Sequence, residues 1–399
     1  MRPSYVSFAA TILALGALPA RAQGGGSGEL LPPAPAPVVS TSQGVGWRRP
    51  DVPNGLLLPL NDLAAIDNDR LQLPGHRTAL YALGKDAQDY HPEREPLILV
   101  HGFRGEPVTF GPLLARLAAS DRYQVYVVVF DDYRRRTTLN AEDFAEQLRQ
   151  LRSSLGRPAD LTIVAHSMGG LLARRTLNEL TVGPGGGIDS FGNVRFFAVD
   201  TPWHGYKGVS DRGLLGFVFK GPRWLVVPRG FEDLIASSKM FQGDPHAKNP
   251  AERAGLYDVT LPPNVTTEIT FAKESKIVLD YNEKYWLIGD LEPLDEKLVA
   301  LYAQGTPVTG SRAVENFWKA VQQSDAFASL DADLRALASN GTLDQASAHA
   351  ALEKHYPEFA GTHREVFAEH PEGPSLLDHL EEKLAPASTR GVAGALGHE

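Results

Sequence analysis

The 399-residue chain contains no cysteine. That absence excludes a disulfide scaffold, a thiolate metal site, a cysteine nucleophile and the lipid-modified cysteine of a bacterial lipoprotein. Beyond the N-terminus, no stretch approaches the ~18 apolar residues of a membrane-spanning helix. There is no basic excess either: 39 Lys and Arg against 48 Asp and Glu leave a formal net charge of −9, with pI ≈ 5.8. Nucleic-acid binding needs a concentrated basic face, so no nucleic-acid partner is expected. HExxH and similar ligand spacings are absent, and no metal is expected. No internal repeat is present. What remains is ordinary globular composition, 43% apolar and 22% charged. The length allows a large core, as one big domain or two smaller ones.

The N-terminus reads as a targeting signal. Arg2 supplies the positive start, residues 5–18 form an apolar run too short for a comfortable span, and Ala20-Arg21-Ala22 is a small-x-small cleavage site. Residues 1–22 are therefore expected to be removed, leaving a chain that begins at Gln23 and is secreted or periplasmic. Residues 23–46 hold GGGSG and then LLPPAPAP, a flexible piece followed by a stiff one. We expect a tether and N-terminal extension over 23–69 and a single α/β domain over 70–399.

Within that domain, buried strands alternate with helices. Continuous apolar runs at 97–101, 124–130, 161–165 and 194–199 predict strands covered on both faces. Helical spacing over 111–119, 141–154 and 169–181 fills the intervals between them. The alternation implies a mostly parallel sheet with helices on both sides. Later, 265–272 reads as a strand, 311–339 and 343–355 as helices, and 363–385 as helix interrupted by Pro371 and Pro374.

The third of these strands runs directly into Ala165-His166-Ser167-Met168-Gly169-Gly170, and a helix follows. This is the pattern of a nucleophile elbow: a serine on a tight strand-to-helix turn, with small residues two positions to either side. The usual first small residue is glycine, and Ala165 meets the same steric demand. Upstream, His101-Gly102-Phe103-Arg104-Gly105 closes the first strand. Acyl transfer needs two backbone N–H groups aimed at a developing oxyanion, and Phe103 and Met168 are the candidates.

These motifs, with Asp200-Thr201-Pro202-Trp203-His204-Gly205 after the next strand, resemble the α/β-hydrolase superfamily, and within it bacterial secreted lipases and esterases. The resemblance is good over about 95–210. It implies an α/β-hydrolase fold with a cap or lid insertion near 205–262, leaving the helical residues near 311–355 as a further insertion. It also implies a Ser-His-acid triad without cofactor and an ester or lipid substrate. Phospholipase, thioesterase, amidase and non-catalytic binding relatives remain open. The base belongs on a loop before the last helix, where six of the twelve histidines fall after residue 340, and His363 fits best. For the acid, Asp290 after Tyr285-Trp286-Leu287-Ile288 is favoured, with Asp280 and Asp200 as alternatives. The apolar segment 214–227 lies where such a cap sits, so Phe217 and Trp224, together with Trp203, are candidate substrate-binding residues. An apolar lid there could meet a lipid surface peripherally. The sequence leaves oligomeric state open, and it places the last strand of the sheet at neither 298–302 nor 356–360 with any clarity.

Overall fold

The computed structural model describes residues 40–41, 44–45, 78–83, 90–103, 107–117, 120–130, 135–205, 233–234, 238–272, 292–309, 312–363, 365–368, 370, 373 and 375–385. Seven strands form one sheet. They are β1 (Ala79–Ala82), β2 (Glu95–Val100), β3 (Tyr123–Val129), β4 (Leu161–His166), β5 (Val194–Val199), β6 (Val265–Ala272) and β7 (Glu358–Phe359). Their spatial order is β1-β3-β2-β4-β5-β6-β7. Only β1 is antiparallel to its neighbour; the other pairs are parallel. From β2 the chain moves one way to β3, then crosses back to β4 on the other side of β2. The switch point between β2 and β4 is where an open parallel sheet leaves a crevice at its carboxyl edge.

Alternation along each strand divides the core in two. Ile98, Val100, Val128, Ile163, Ala165 and Ala198 face one side, against Phe144 and Leu148 of α2 (Thr137–Leu155) and Leu172 and Leu177 of α3 (Met168–Val182). Leu97, Leu99, Val127, Val129, Val164 and Val199 face the other. There they meet α1 (Gly111–Leu117) and the last helix, which buries Leu376, Leu377, Leu380 and Leu384. Both sheet faces are apolar because both are covered. Each fully buried side chain of this size contributes roughly 1.5–3 kcal/mol.

The short helices α4 (Lys239–Gln242) and α5 (Pro250–Arg253) precede β6; α6 (Glu292–Gln304), α7 (Arg312–Gln322), α8 (Phe327–Ser339) and α9 (Gln345–His355) follow it and extend the first core. The expected helix over 311–339 is thus two helices, broken at 323–326. Residues 298–302 lie in α6, so among the described residues the last strand is β7, only two residues long. The helix expected over 363–385 is corrected to α10 (Leu376–Leu384), capped by the Ser375 side chain. A proline cannot continue a helix, and two of them precede this cap. His370 consequently lies on no helix, contrary to expectation.

The amino edge of the sheet ties down the end of α10. Arg122 donates to the carbonyls of Leu384 and Ala385 at 2.9 and 2.8 Å, and Arg195 donates to that of Lys383 at 3.0 Å. Arg195 also reaches Glu95, Tyr123 and Thr162. The helix's terminal carbonyls, which have no partner within the helix, are satisfied by fixed cations. Among the described residues, no helix is long and apolar enough to cross a membrane.

Candidate active site

Register brings the chemistry to one edge. Val100 of β2 lies beside Ala165 of β4, and Val199 of β5 lies beside His166. The residues that leave these strands, Gly102, Ser167 and Asp200, therefore emerge together at the carboxyl edge next to the switch point. Further along, Phe359 of β7 pairs with Ala272 of β6, which delivers His363 to the same edge four residues later.

Two described residues other than glycine have positive φ: Ser167 (φ 56°) and Asp200 (φ 46°). A side chain in that region carries strain of order 1–3 kcal/mol, which persists only where the surroundings enforce it. At Ser167 the enforcement is visible. Its N–H donates to the Val199 carbonyl at 2.9 Å, and its own carbonyl accepts from Gly170 at 2.9 Å. Small neighbours are needed for the same reason. A Cβ on Gly102 would lie 2.6 Å from the Ser167 Cβ, one on Gly169 would lie 2.5 Å from the Val100 carbonyl oxygen, and one on Gly170 would overlap the Thr201 side chain.

His363 joins serine and acid. The Ser167 hydroxyl donates to His363 Nε2 at 2.7 Å, and His363 Nδ1–H donates to Asp200 Oδ2. All three residues are buried. Asp200 is held in turn: its N–H donates to the Thr270 carbonyl at 2.8 Å, and Oδ1 accepts the Ala272 N–H at 3.2 Å. The expectation of Asp290 as the partner of His363 is corrected, because Asp200 occupies Nδ1. Asp290 and Asp280 lie outside the described residues, as do Phe217 and Trp224. The strand-end signal had pointed to Asp200 only as an alternative. Its positive φ and the β5–β6 register, which singles it out, are tertiary facts.

Phe103 follows Gly102 in the loop leaving β2, and Met168 opens α3 with a first-turn N–H that the helix itself cannot satisfy. Both candidate oxyanion donors thus adjoin Ser167 in the chain or through Gly102. Trp203 is different. It is 1% exposed and packs against Phe196 and Tyr257, with ring centroids 6.2 and 6.3 Å away. The expectation that it lines a substrate cleft is corrected: Trp203 is core, placed there because the turn after Asp200 folds back onto α3 and α7.

Two histidines that the sequence assigned no separate role lie beside the triad. His166 Nε2–H donates to the His363 carbonyl at 2.8 Å, and the two rings sit 4.6 Å apart at 34°. Burial, then the neighbouring His363, pulls the His166 pKa down to about 3. His101 donates Nδ1–H to the Gly102 carbonyl at 2.9 Å and stacks on Phe130 at 4.5 Å. Burial lowers its pKa to about 4. Ligand atoms of His166, Asp200 and His363 lie within 4.8 Å of one another, the spacing of a metal site. Both His363 nitrogens and His166 Nε2 are, however, engaged in the hydrogen bonds just described, so this cluster is a hydrogen-bonded array.

The curated proteins include no match to the chain. Among solved structures, a Bacillus licheniformis lipase, BlEst2 in mature form, is 18% identical and covers 49% of this chain and 72% of its own, with TM-score 0.30. A hormone-sensitive lipase from a metagenome library is 15% identical and covers 46% and 59%, with TM-score 0.28. Aspergillus fumigatus lipase B is 14% identical and covers 70% and 64%, with TM-score 0.30. At these values the likenesses carry no weight for function. The model of the Alpha/beta hydrolase family, by contrast, matches residues 97–373, which include every residue of the Ser167–His363–Asp200 array. The chain belongs to the alpha/beta hydrolase family.

Proposed function

We propose that the protein is an exported serine hydrolase that cleaves carboxylic esters of lipase or esterase type. The observation that carries the reading is the continuous hydrogen-bond chain from Ser167 Oγ through His363 to buried Asp200. In this reading Ser167 attacks the ester carbonyl while His363 Nε2 accepts its proton. Asp200 keeps the proton on Nδ1, so that Nε2 stays a base, and stabilises the imidazolium that forms. The N–H groups of Phe103 and Met168 hold the oxyanion of the tetrahedral intermediate. Collapse expels the alcohol, which takes the proton from His363. Water, activated by the same nitrogen, then releases the acid from the acyl-enzyme. Residues 1–22 direct export, and cleavage leaves Gln23 as the first residue.

A fluorophosphonate probe tests the nucleophile, and a panel of p-nitrophenyl esters of increasing acyl length tests the substrate class. The wild-type protein should label once, Ser167→Ala should not label, and at least one ester should turn over. Labelling with no ester hydrolysed anywhere on the panel would replace esters by thioesters or amides. Labelling that survives Ser167→Ala would end the serine-hydrolase reading. Amino-terminal sequencing of exported protein tests the leader, and any start other than Gln23 refutes the assigned cleavage site.

A further inference from the structure

We infer that His166, the residue before the nucleophile, is a positioning residue that holds His363 between Ser167 and Asp200. In its catalytic part the inference rests on the reading just proposed. Among the described residues, His363 follows β7, which ends at Phe359, on a stretch without sheet partners, and the next buried anchors are Val366 and Phe367. Between them, local hydrogen bonds brace the turn that follows, with Glu365 N–H on the Thr362 carbonyl at 3.0 Å and His370 Nε2–H on the Glu365 carbonyl at 2.9 Å. The carbonyl of His363 itself turns inward and accepts the Nε2–H of His166 at 2.8 Å. The tie therefore joins the rigid end of β4 to the very residue whose ring must stay aligned.

The His166 ring adds a second constraint. It lies against the His363 imidazole at 4.6 Å, while Phe367 packs edge-on against His166 at 5.6 Å and Phe110 packs against Phe367 at 5.0 Å. His363 is thus backed by a stack rooted in the core. Because a carbonyl can only accept, His166 must carry its proton on Nε2, and a neutral ring meets that need. The imidazolium formed on His363 during catalysis then faces a neutral π system rather than a second cation. Removing the tie leaves Ser167 and Asp200 where they are, since their own backbones are fixed by β5 and β6. Only the middle member of the array is freed.

The test uses the full-length protein with H166F, which keeps a ring but loses the donor, and H166Q, whose amide N–H reaches where Nε2–H was. A far-downfield proton signal from His363 Nδ1–H, identified by its absence in Asp200→Asn, reports alignment without requiring turnover. Expected for H166F is a fall in kcat of about 10- to 100-fold with KM within about twofold, and loss of that signal. H166Q should keep the signal and restore kcat to within about threefold of wild type. Wild-type kcat and signal in H166F would overturn the inference. So would H166Q as impaired as H166F at equal thermal stability. If H166F does not fold, H166A, which removes the donor without added bulk, takes its place under the same criteria. Should the signal follow this pattern while the wild-type protein hydrolyses no ester, the positioning role stands and the ester reading falls.

Discussion

Replacing Asp200 by Asn should silence the enzyme while leaving its fold in place. The position demands φ of 46°, which asparagine tolerates as well as aspartate does. The Asn carbonyl can still accept the Ala272 N–H, now 3.2 Å from Oδ1. Its amide group then faces His363 Nδ1 and donates to it, where the carboxylate had accepted. The His363 proton is driven to Nε2, the nitrogen that must receive the serine proton, and Ser167 is left facing a donor. A wrong-tautomer triad loses about 10⁴-fold in kcat, or roughly 5 kcal/mol of transition-state stabilisation. Stability should change by no more than about 1–2 kcal/mol, since each hydrogen-bond position keeps a partner. Single-turnover acylation by a chromogenic ester, beside a thermal melt, separates the two effects. Asp290→Asn is the parallel variant and should leave kcat near wild type. If Asp200→Asn keeps more than about a tenth of wild-type kcat, or Asp290→Asn loses as much with its fold intact, the assignment of Asp200 as orienting acid is wrong.

Gly170→Ala should cost about 1–3 kcal/mol, because the added Cβ would stand 2.6 Å from Thr201 Cγ2 and 2.8 Å from Thr201 Cβ. Adding Thr201→Ala should recover part of that loss in urea unfolding, and a strictly additive double variant would show that the clash is not with Thr201. Arg195→Met should destabilise by roughly 1–3 kcal/mol, by leaving Glu95 and the Lys383 carbonyl short of a donor. Arg195 lies five residues before Asp200, about 16 Å along β5, so kcat per folded molecule should be unchanged. Stability should fall as the pH drops from about 6.5 towards 4. His166 and His101 are held neutral in the fold, at pKa about 3 and about 4, while in the unfolded chain they take up protons near 6.5. In that window the unfolded state binds more protons, so acid favours it, and their contribution is complete above pH 6.5. The charged or titratable groups near His166 are His363, Asp200 and His101. Urea midpoints measured from pH 8 to 4 should therefore slope downwards towards acid, less steeply in H166Q. A midpoint unchanged between pH 7 and 5 would contradict the buried neutral state.

Much of this arrangement was legible locally. The β2, β4 and β5 runs are continuous and apolar because both sheet faces are covered, so they stood out, and 194–199 and 265–272 coincide with β5 and β6. Ser167 was readable because an elbow imposes small residues at fixed offsets, and His363 because it stands shortly before the last amphipathic helix. β1 was not foreseen: four residues pairing antiparallel at an edge leave too short a pattern. β7 was equally faint, since its two residues are strand only because β6 offers them an edge.

The chain alone thus determined the alternation of elements, the strand-to-helix turn that carries Ser167, the loop that carries His363 and the glycine-bearing loop after β2, because each depends on residues adjacent in sequence. It could not decide which aspartate completes the array, whether Trp203 faces a cleft or the core, or what His166 does. Those answers depend on contacts between residues tens to hundreds of positions apart. Asp200 lies 163 positions from His363, and the His166 tie spans 197. Only the register of β2, β4, β5, β6 and β7 brings these groups to one edge, and that register is a property of the folded sheet.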